Sequence, residues 1–540
     1  MSVSDSIPDV LIVGAGASGA AVAYTLARAG ISVVCLEQGR WIDPAEYPHS
    51  KGDWEWHRFS DFHINPNVRQ WPEDYPVNAS ESPINPVMFN AVGGSTSHWA
   101  GHFPRFRPSD FRVRTLDGVA DDWPLTYAEL EPYYERNDAF IGVSGLHGDP
   151  SNPPRAPRGH VPTATGAAGR VYARGLEKLG WHWWPSDGAI VTAPTSDGRP
   201  ACNNCGPCFM GCPTGAMSSA HTTYWPAAVK LGARLITHAR VREIAVDPRG
   251  RATGAVYYDR DGRVREQRAR VVVMAGNGVG TPRLLLNSAS SQFPNGLANS
   301  GGELGKNLMF HPVGFISGIF DERVDGQGGP IGNLLHSQEF YETDLTRGFV
   351  RGFQFQLCRD MGPAGTAVGS LGAAASPVPW GADHHRSFQE RFGHALTATV
   401  MGEDLPEPTN RVTLDPALTD SHGIPAPRIT YTLSENSRRM LEFGSARGRE
   451  LLEAAGARAV FVDPLVRDSG WHLMGTARMG DDPSRSVVDR WGRAHDVPNL
   501  FIVDGSVFVT GAAVNPTTTI QALALRTADW IRDHHREIAL

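Results

Sequence analysis

The chain has 540 residues, 41% of them hydrophobic and 20% charged, with a formal net charge of −7. This is the composition of a packed globular protein, long enough for two or three domains or one large intertwined pair. No Lys/Arg block stands out and no apolar run nears the ~18 residues that span a bilayer, which argues against nucleic-acid partners and membrane insertion.

The N-terminus, "MSVSDSIPDVLIVGAG", has no basic n-region, apolar h-region or twin-arginine pair, and the first strand begins almost at once. We therefore expect a cytoplasmic protein. Six cysteines, four of them crowded into residues 202–212, argue against a secreted disulfide framework.

"DVLIVGAGASGAAVAYTLARAGISVVCLEQG" predicts a buried parallel strand, a glycine turn, a helix ending at Gly30 and a second strand ending at Glu37. Gly14, Gly16 and Gly19 form G-x-G-x-x-G. Gly14 permits the tight turn, Gly16 lets a pyrophosphate approach the backbone, and Gly19 lets the helix pack on the strand. Ala17 and Ser18 open the helix whose N-terminus faces phosphate charge. Glu37, 23 residues after Gly14, can accept hydrogen bonds from a ribose diol. With strand, helix and acid all in place, the motif points to a dinucleotide site, without separating NAD from FAD.

"ACNNCGPCFMGCPTGA" spaces Cys202, Cys205, Cys208 and Cys212 as C-x2-C-x2-C-x3-C before Pro213, the spacing of a ferredoxin cluster run. "THARVREIAVD" and "RATGAVYYDRDGRV" predict strands of a small sheet. "RARVVVMAGNGVGTPRLLLNS" predicts a third buried strand and a helix. Finally, "NLFIVDGSVFVTGAAVNPTTTIQALALRTADWI" predicts a strand ending in Asp504 and a closing helix with Pro516 in its first turn. Such a closing unit suits a flavin, whose ribityl chain an acid can hold and whose reduced ring a helix N-terminus can face.

Seven segments together resemble the glucose–methanol–choline (GMC) family of flavin oxidoreductases. They are the opening motif, "AVGGSTSHWAG", "DDWPLTYAELEPYYERNDAFIGVSG", "GTPRLLLNS", "ELGKNLMFHP", "HLMGTARMG" and "VDGSVFVTGAAVNPTTTIQALALRTADWI". They occur in the family's order over nearly the full length. The resemblance implies an α/β fold in which a Rossmann-type FAD-binding domain (1–120, 200–310 and 465–540) lies under a second, α+β substrate domain (121–199 and 311–464). The large sheet of that second domain would roof the flavin. It places His472 over the flavin as catalytic base, with Asn515 as its partner. Alcohol oxidation needs such types: a neutral imidazole can take the hydroxyl proton, and an amide can hold the same oxygen without competing for that proton.

The same resemblance assigns Gly93, Gly94, Ser95, Ser97 and His98 to a loop against the isoalloxazine. It adds Val241, Asp504, Gly505, Asn515, Pro516 and Thr517 as cofactor contacts. Pyranose oxidases attach FAD covalently to the histidine before a Trp in a similar segment; here Thr96 is displaced by one position, and positioning of the loop is the expected role of His98. His311 reads as structural, and His102, His57 and His63 as ordinary core or surface histidines.

For the cysteines three readings stand in order: a turn-rich structural loop, an iron–sulfur relay as in some bacterial GMC sugar dehydrogenases, and zinc. Zinc pairs are usually spaced further apart, and no second cysteine run exists to complete a ferredoxin-type pair of clusters. The aromatic-dense stretches "GDWEWHRF", "RQWPEDYP" and "GWHWWPSDG" suit stacking on pyranose rings. The expected substrate is thus a small-molecule alcohol, with a ring secondary hydroxyl of a sugar, glycoside or polyol favoured. Sterols, fatty alcohols and aminoglycoside intermediates stay open, as does the choice of oxygen or another electron acceptor. The alternatives outside this class are a flavin-dependent lyase and an NAD-linked or disulfide-reducing flavoprotein.

Overall fold

A computed structural model describes residues 7–330, 335–358, 360–369 and 378–538. The nucleotide layer is a five-stranded parallel sheet in the spatial order Leu500–Ile502, Val271–Met274, Val10–Val13, Val33–Leu36 and Arg234–Ile236. Three of these strands read VLIV, VVCL and VVVM and are buried along their whole length. β-branched side chains on both faces are what a parallel sheet covered on both sides requires. The covering cores differ. One face packs on helix Ala17–Arg28 and the apolar side of the closing helix, the other on the aromatic cluster around Phe106, Trp123 and Phe508.

Gly14 adopts φ +105°, the left-handed region that favours glycine. A Cβ on Gly19 would meet the Gly14 carbonyl oxygen at 2.1 Å, so helix Ala17–Arg28 sits on the strand only because that side chain is missing.

The roof is an antiparallel six-stranded sheet in the order Ala459–Asp463, Val313–Ile319, Ala395–Gly402, Phe353–Cys358, Leu335–Ser337 and Trp184–Pro185. Its strands alternate. Phe353, Phe355 and Leu357 point into a core against helices Gly166–Leu179 and Glu435–Ala455. Gln356 and Cys358 line the opposite face.

Element ends depart from the sequence reading by a few residues. The second strand stops at Leu36, so Glu37 lies just beyond it. The closing helix starts at Thr517, with the Pro516 carbonyl accepting from Ile520 N–H. Helix Tyr127–Ile141, in a stretch the sequence grouped with the roof, packs on the closing helix through Tyr134 to Thr519 and Asn137 to Gln521. Among the described residues no helix is long and apolar enough to cross a membrane.

Candidate active site

Between the two sheets lies a cavity of about 610 Å³. Three helix N-termini meet it: Ala17–Arg28 with Gly16 as its cap, Asn277–Asn287, and Thr517–Ile538. Their unpaired N–H groups and dipoles make the floor favourable for anionic groups. At Gly16 nothing lies within 4 Å of where a Cβ would be, leaving the turn open to the cavity.

Two carboxylates stand beside these termini. Glu37 accepts from Ala15 N–H at Oε2 (2.7 Å) and from Gly39 N–H at Oε1 (2.7 Å). Asp504 accepts from the Thr281 hydroxyl (2.6 Å) and from Ser506 N–H (2.9 Å). Burial pushes both carboxyls up from their ordinary range, and the backbone donors pull back toward the charged form. Each retains lone pairs for hydroxyl donors such as those of a ribose or ribityl chain.

At the other end, the His472 and His311 rings face each other edge to face, with Nδ1 atoms 2.6 Å apart. His311 Nε2 donates to the carbonyls of Gly511 (3.1 Å) and Ala512 (2.8 Å). That assigns the His311 proton to Nε2, leaving Nδ1 as an acceptor. The hydrogen between the rings then belongs to His472 Nδ1, and His472 Nε2 carries the free lone pair. Burial holds His311 at about 4 and drives His472 well below its ordinary value, helped by the neighbouring His311 and His102, so both rings are neutral. Asn515, half-buried on the cavity wall, accepts from Gln356 Nε2 at its Oδ1 (2.7 Å), which leaves its Nδ2 as a donor.

Of the residues predicted from sequence, the cavity wall contains Gly14, Gly16, Ala17, Ser18, Glu37, Gly94, Ser95, His98, Val241, Asp504, Gly505, Asn515, Pro516, Thr517 and His472. Gly19, Gly93 and Ser97 lie behind it. Gly93 abuts the His221 ring, where a Cβ would meet Nδ1 at 2.8 Å, and the Ser97 hydroxyl is turned to the Gly94 carbonyl (2.6 Å). These two shape the loop rather than touch the cavity. His98 stacks on Phe89 with ring centroids 3.4 Å apart, is buried, and has both ring nitrogens without a protein partner.

The sequence reading missed four wall or support residues. His311, read as structural, contacts His472, and His102 and His63, read as ordinary, line the cavity. Gln356 carried no motif at all. The aromatic-dense stretches contribute only Phe59 and Tyr75 of their rings to the wall. Their tryptophans pack elsewhere, Trp181 against Phe340 and Phe355, for example. Trp99 and Trp471 line the cavity instead.

The cysteine loop forms part of the wall. Phe209 lines the cavity, and Met210 is buried among Ile42, Tyr47, Phe62 and Phe89. None of the four cysteines is in a disulfide, and Cys205 is exposed. Among the described residues no three His, Cys, Asp or Glu side chains gather to hold a metal ion. The loop as placed does not fit a cluster.

Family comparison agrees with this geometry. The GMC oxidoreductase description matches residues 113–313 and 406–524 through its N- and C-terminal parts, and an FAD dependent oxidoreductase description matches 9–46. A 2-methyl-1,2-propanediol dehydrogenase from Mycolicibacterium austroafricanum is 47% identical, over 100% of this chain and 97% of its own. The chain belongs to the GMC oxidoreductase family. A fructose dehydrogenase large subunit from Gluconobacter japonicus is 31% identical over 97% of each chain. A formate oxidase structure from Aspergillus oryzae shares the fold, with TM-score 0.66 at 16% identity over 99% of this chain and 100% of that one. This GMC oxidoreductase is therefore an FAD-dependent enzyme acting on CH–OH groups. The open turn at Gly16, the paired carboxylates and the unpartnered His98 nitrogens suit such a cofactor.

Proposed function

We propose that this enzyme oxidises the primary hydroxyl of a short branched diol of the 2-methyl-1,2-propanediol type, with His472 as base and Asn515 as oxygen-holding donor. The observation that carries the catalytic assignment is the hydrogen-bond chain ending at His472. It leaves an imidazole lone pair and an amide donor on the wall of one buried chamber. The substrate class rests on the 47% identity to a diol dehydrogenase over the whole chain. The chamber's walls suit such a molecule, with Phe315, Met401 and Val466 for methyl groups and Thr397, Thr399 and Gln356 for a second hydroxyl. In 2-methyl-1,2-propanediol the second carbon bears no hydrogen, so oxidation to a carbonyl is restricted to C1. The 47% identity to a diol dehydrogenase ranks the diol above a sugar ring hydroxyl in this proposal, and sugars become the comparison substrates.

In this reading His472 Nε2 takes the hydroxyl proton while Asn515 Nδ2 holds the oxygen. Bound FAD supplies the acceptor for the hydride leaving C1. Burial excludes water and strengthens both contacts on the developing alkoxide. Glu37 would hold the ribose, Asp504 the ribityl chain, and the N-terminus of Ala17–Arg28 the pyrophosphate. We further propose that the FAD domain is assembled from 1–120, 200–310 and 465–540, with Tyr127–Ile141 of the 121–199 stretch packed on it, and that the rest of 121–199 forms the roof together with 311–464.

The test is anaerobic bleaching of the bound FAD near ~450 nm. 2-Methyl-1,2-propanediol is expected to bleach it faster than D-fructose or D-glucose. Rapid bleaching by the sugars with none by the diol would overturn the substrate assignment.

A further inference from the structure

Two buried histidines outside the catalytic pair connect the active-site cavity to a second, smaller one. His102 and His472 line the same cavity. The His336 ring stands edge-on to His102, with centroids 6.0 Å apart and an interplanar angle of 87°. His336 lines a separate cavity of about 30 Å³, together with Asp149, Arg155 and Asp187. A space of that size holds a water. Beyond it, Asp149 Oδ1 meets His182 Nε2 at 2.8 Å, and the His182 side chain is 30% exposed. His336 Nδ1 lies 3.5 Å from the Ser186 hydroxyl, while its Nε2 is buried without a partner. The catalytic chemistry so far described uses none of these groups.

We propose that His102 and His336 form a proton relay that carries protons from His472 to the surface at Asp149 and His182 while the substrate chamber is filled. The proposal rests on the reading of His472 as base. Two hydrogen bonds in series cover about 5–6 Å, the scale on which the two rings are separated, so in this proposal one water links them. Each imidazole accepts at one nitrogen and releases from the other, ending in the opposite tautomer, and a ring flip or proton exchange through water resets it before the next turnover. Burial holds His336 at about 4, so the ring rests neutral and ready to accept.

The need for an exit follows from the proton balance. With a one-electron acceptor such as ferricyanide, one alcohol and two ferricyanides give one aldehyde, two ferrocyanides and two protons. The O–H proton leaves through His472, the C–H bond supplies the electron pair and the second proton, and both protons must reach solvent. With oxygen as acceptor both end in hydrogen peroxide, and no net release occurs.

The experiment uses holoenzyme reduced beforehand with dithionite, its chamber filled with 2-methyl-2-propanol, which has no carbinol hydrogen to give up, and mixed with ferricyanide in weak buffer containing a pH-indicator dye. In the unaltered enzyme, protons are expected to appear in step with ferrocyanide. In H336Q, which keeps shape and hydrogen bonding but cannot carry a proton, and in H336F, proton release is expected to lag about tenfold or more. FAD reduction by 2-methyl-1,2-propanediol should stay within about twofold, because the base itself is untouched. Protons keeping pace in both variants would overturn the relay, as would a lag in H336F alone. The oxidative measurement does not involve the diol. Failure of the His472 assignment would appear separately, as unslowed bleaching in H472A.

Discussion

His311 donates through Nε2 to two backbone carbonyls and accepts at Nδ1 from His472 Nδ1, 2.6 Å away, so the loop Gly511–Ala512 determines which nitrogen of His472 is free. A glutamine at 311 can repeat both roles, its amide N–H₂ donating to the carbonyls and its oxygen accepting from His472. A phenylalanine can do neither. We expect H311F to reduce the rate of FAD reduction by about 10–100-fold with FAD still bound, as removal of an orienting partner does elsewhere, and H311Q to recover most of the loss. Stopped-flow reduction checks this. Equal rates in H311Q and H311F, both depressed, would show that His311 only fills space.

Gln356 holds Asn515 in the same manner, by donating to its Oδ1 at 2.7 Å. A glutamate at 356 cannot donate when charged, so Q356E should turn the Asn515 amide over and present an oxygen where a donor is needed. The expected loss is about 10²-fold in kcat, the scale of one lost transition-state donor, with little change in cofactor retention. A wild-type kcat in Q356E would remove Asn515 Nδ2 from the mechanism.

These two contacts explain what the sequence could and could not disclose. The strand–turn–helix at Gly14–Gly19 and the closing strand–helix are local patterns, since spacing alone determines which backbone groups face the cavity. His472 and Asn515 were found because they sit in segments that resemble a family. The partners that orient them lie 161 and 159 residues away in sequence. His311 precedes a proline in a segment with no visible chemistry. Gln356 alternates with Phe355 and Leu357 as any half-buried strand residue would. Only the sheet register, which pairs Gln356 with Thr399 and with His336, brings it over the chamber. The aromatic stretches misled for the complementary reason: tryptophan is an equally good core residue, and local density does not say which way a ring points.

Glu37 is tied to the glycine turn by Ala15 N–H and to the following loop by Gly39 N–H. E37Q turns an N–H₂ toward one of these donors, leaving it unpaired, and removes the charge that strengthens both bonds. A lost hydrogen bond to a buried charged group is worth about 1.5–3 kcal/mol, so FAD should bind roughly 10–100-fold more weakly. Fluorescence of FAD released on dilution measures this directly. Unchanged retention would mean that the carboxylate serves the turn alone.

The pH profile tests the state of the base. His472 accepts a proton only when neutral. Burial first, and then the nearby His311 and His102, lower its pKa well below the ordinary histidine value of 6.5. A lowered pKa keeps the ring neutral to more acid pH, so the activity is complete above the ordinary value and disappears only as pH falls through the lowered one. In the reductive step, kcat/KM for the diol should therefore stay level between about pH 8 and 6.5, with its acid limb below that range. H311Q removes one of the neighbours that depress His472, so its acid limb should move toward higher pH while the plateau remains. An acid limb at or above pH 6.5 in the unaltered enzyme, or one that does not move in H311Q, would contradict a buried, neutral His472 paired with His311.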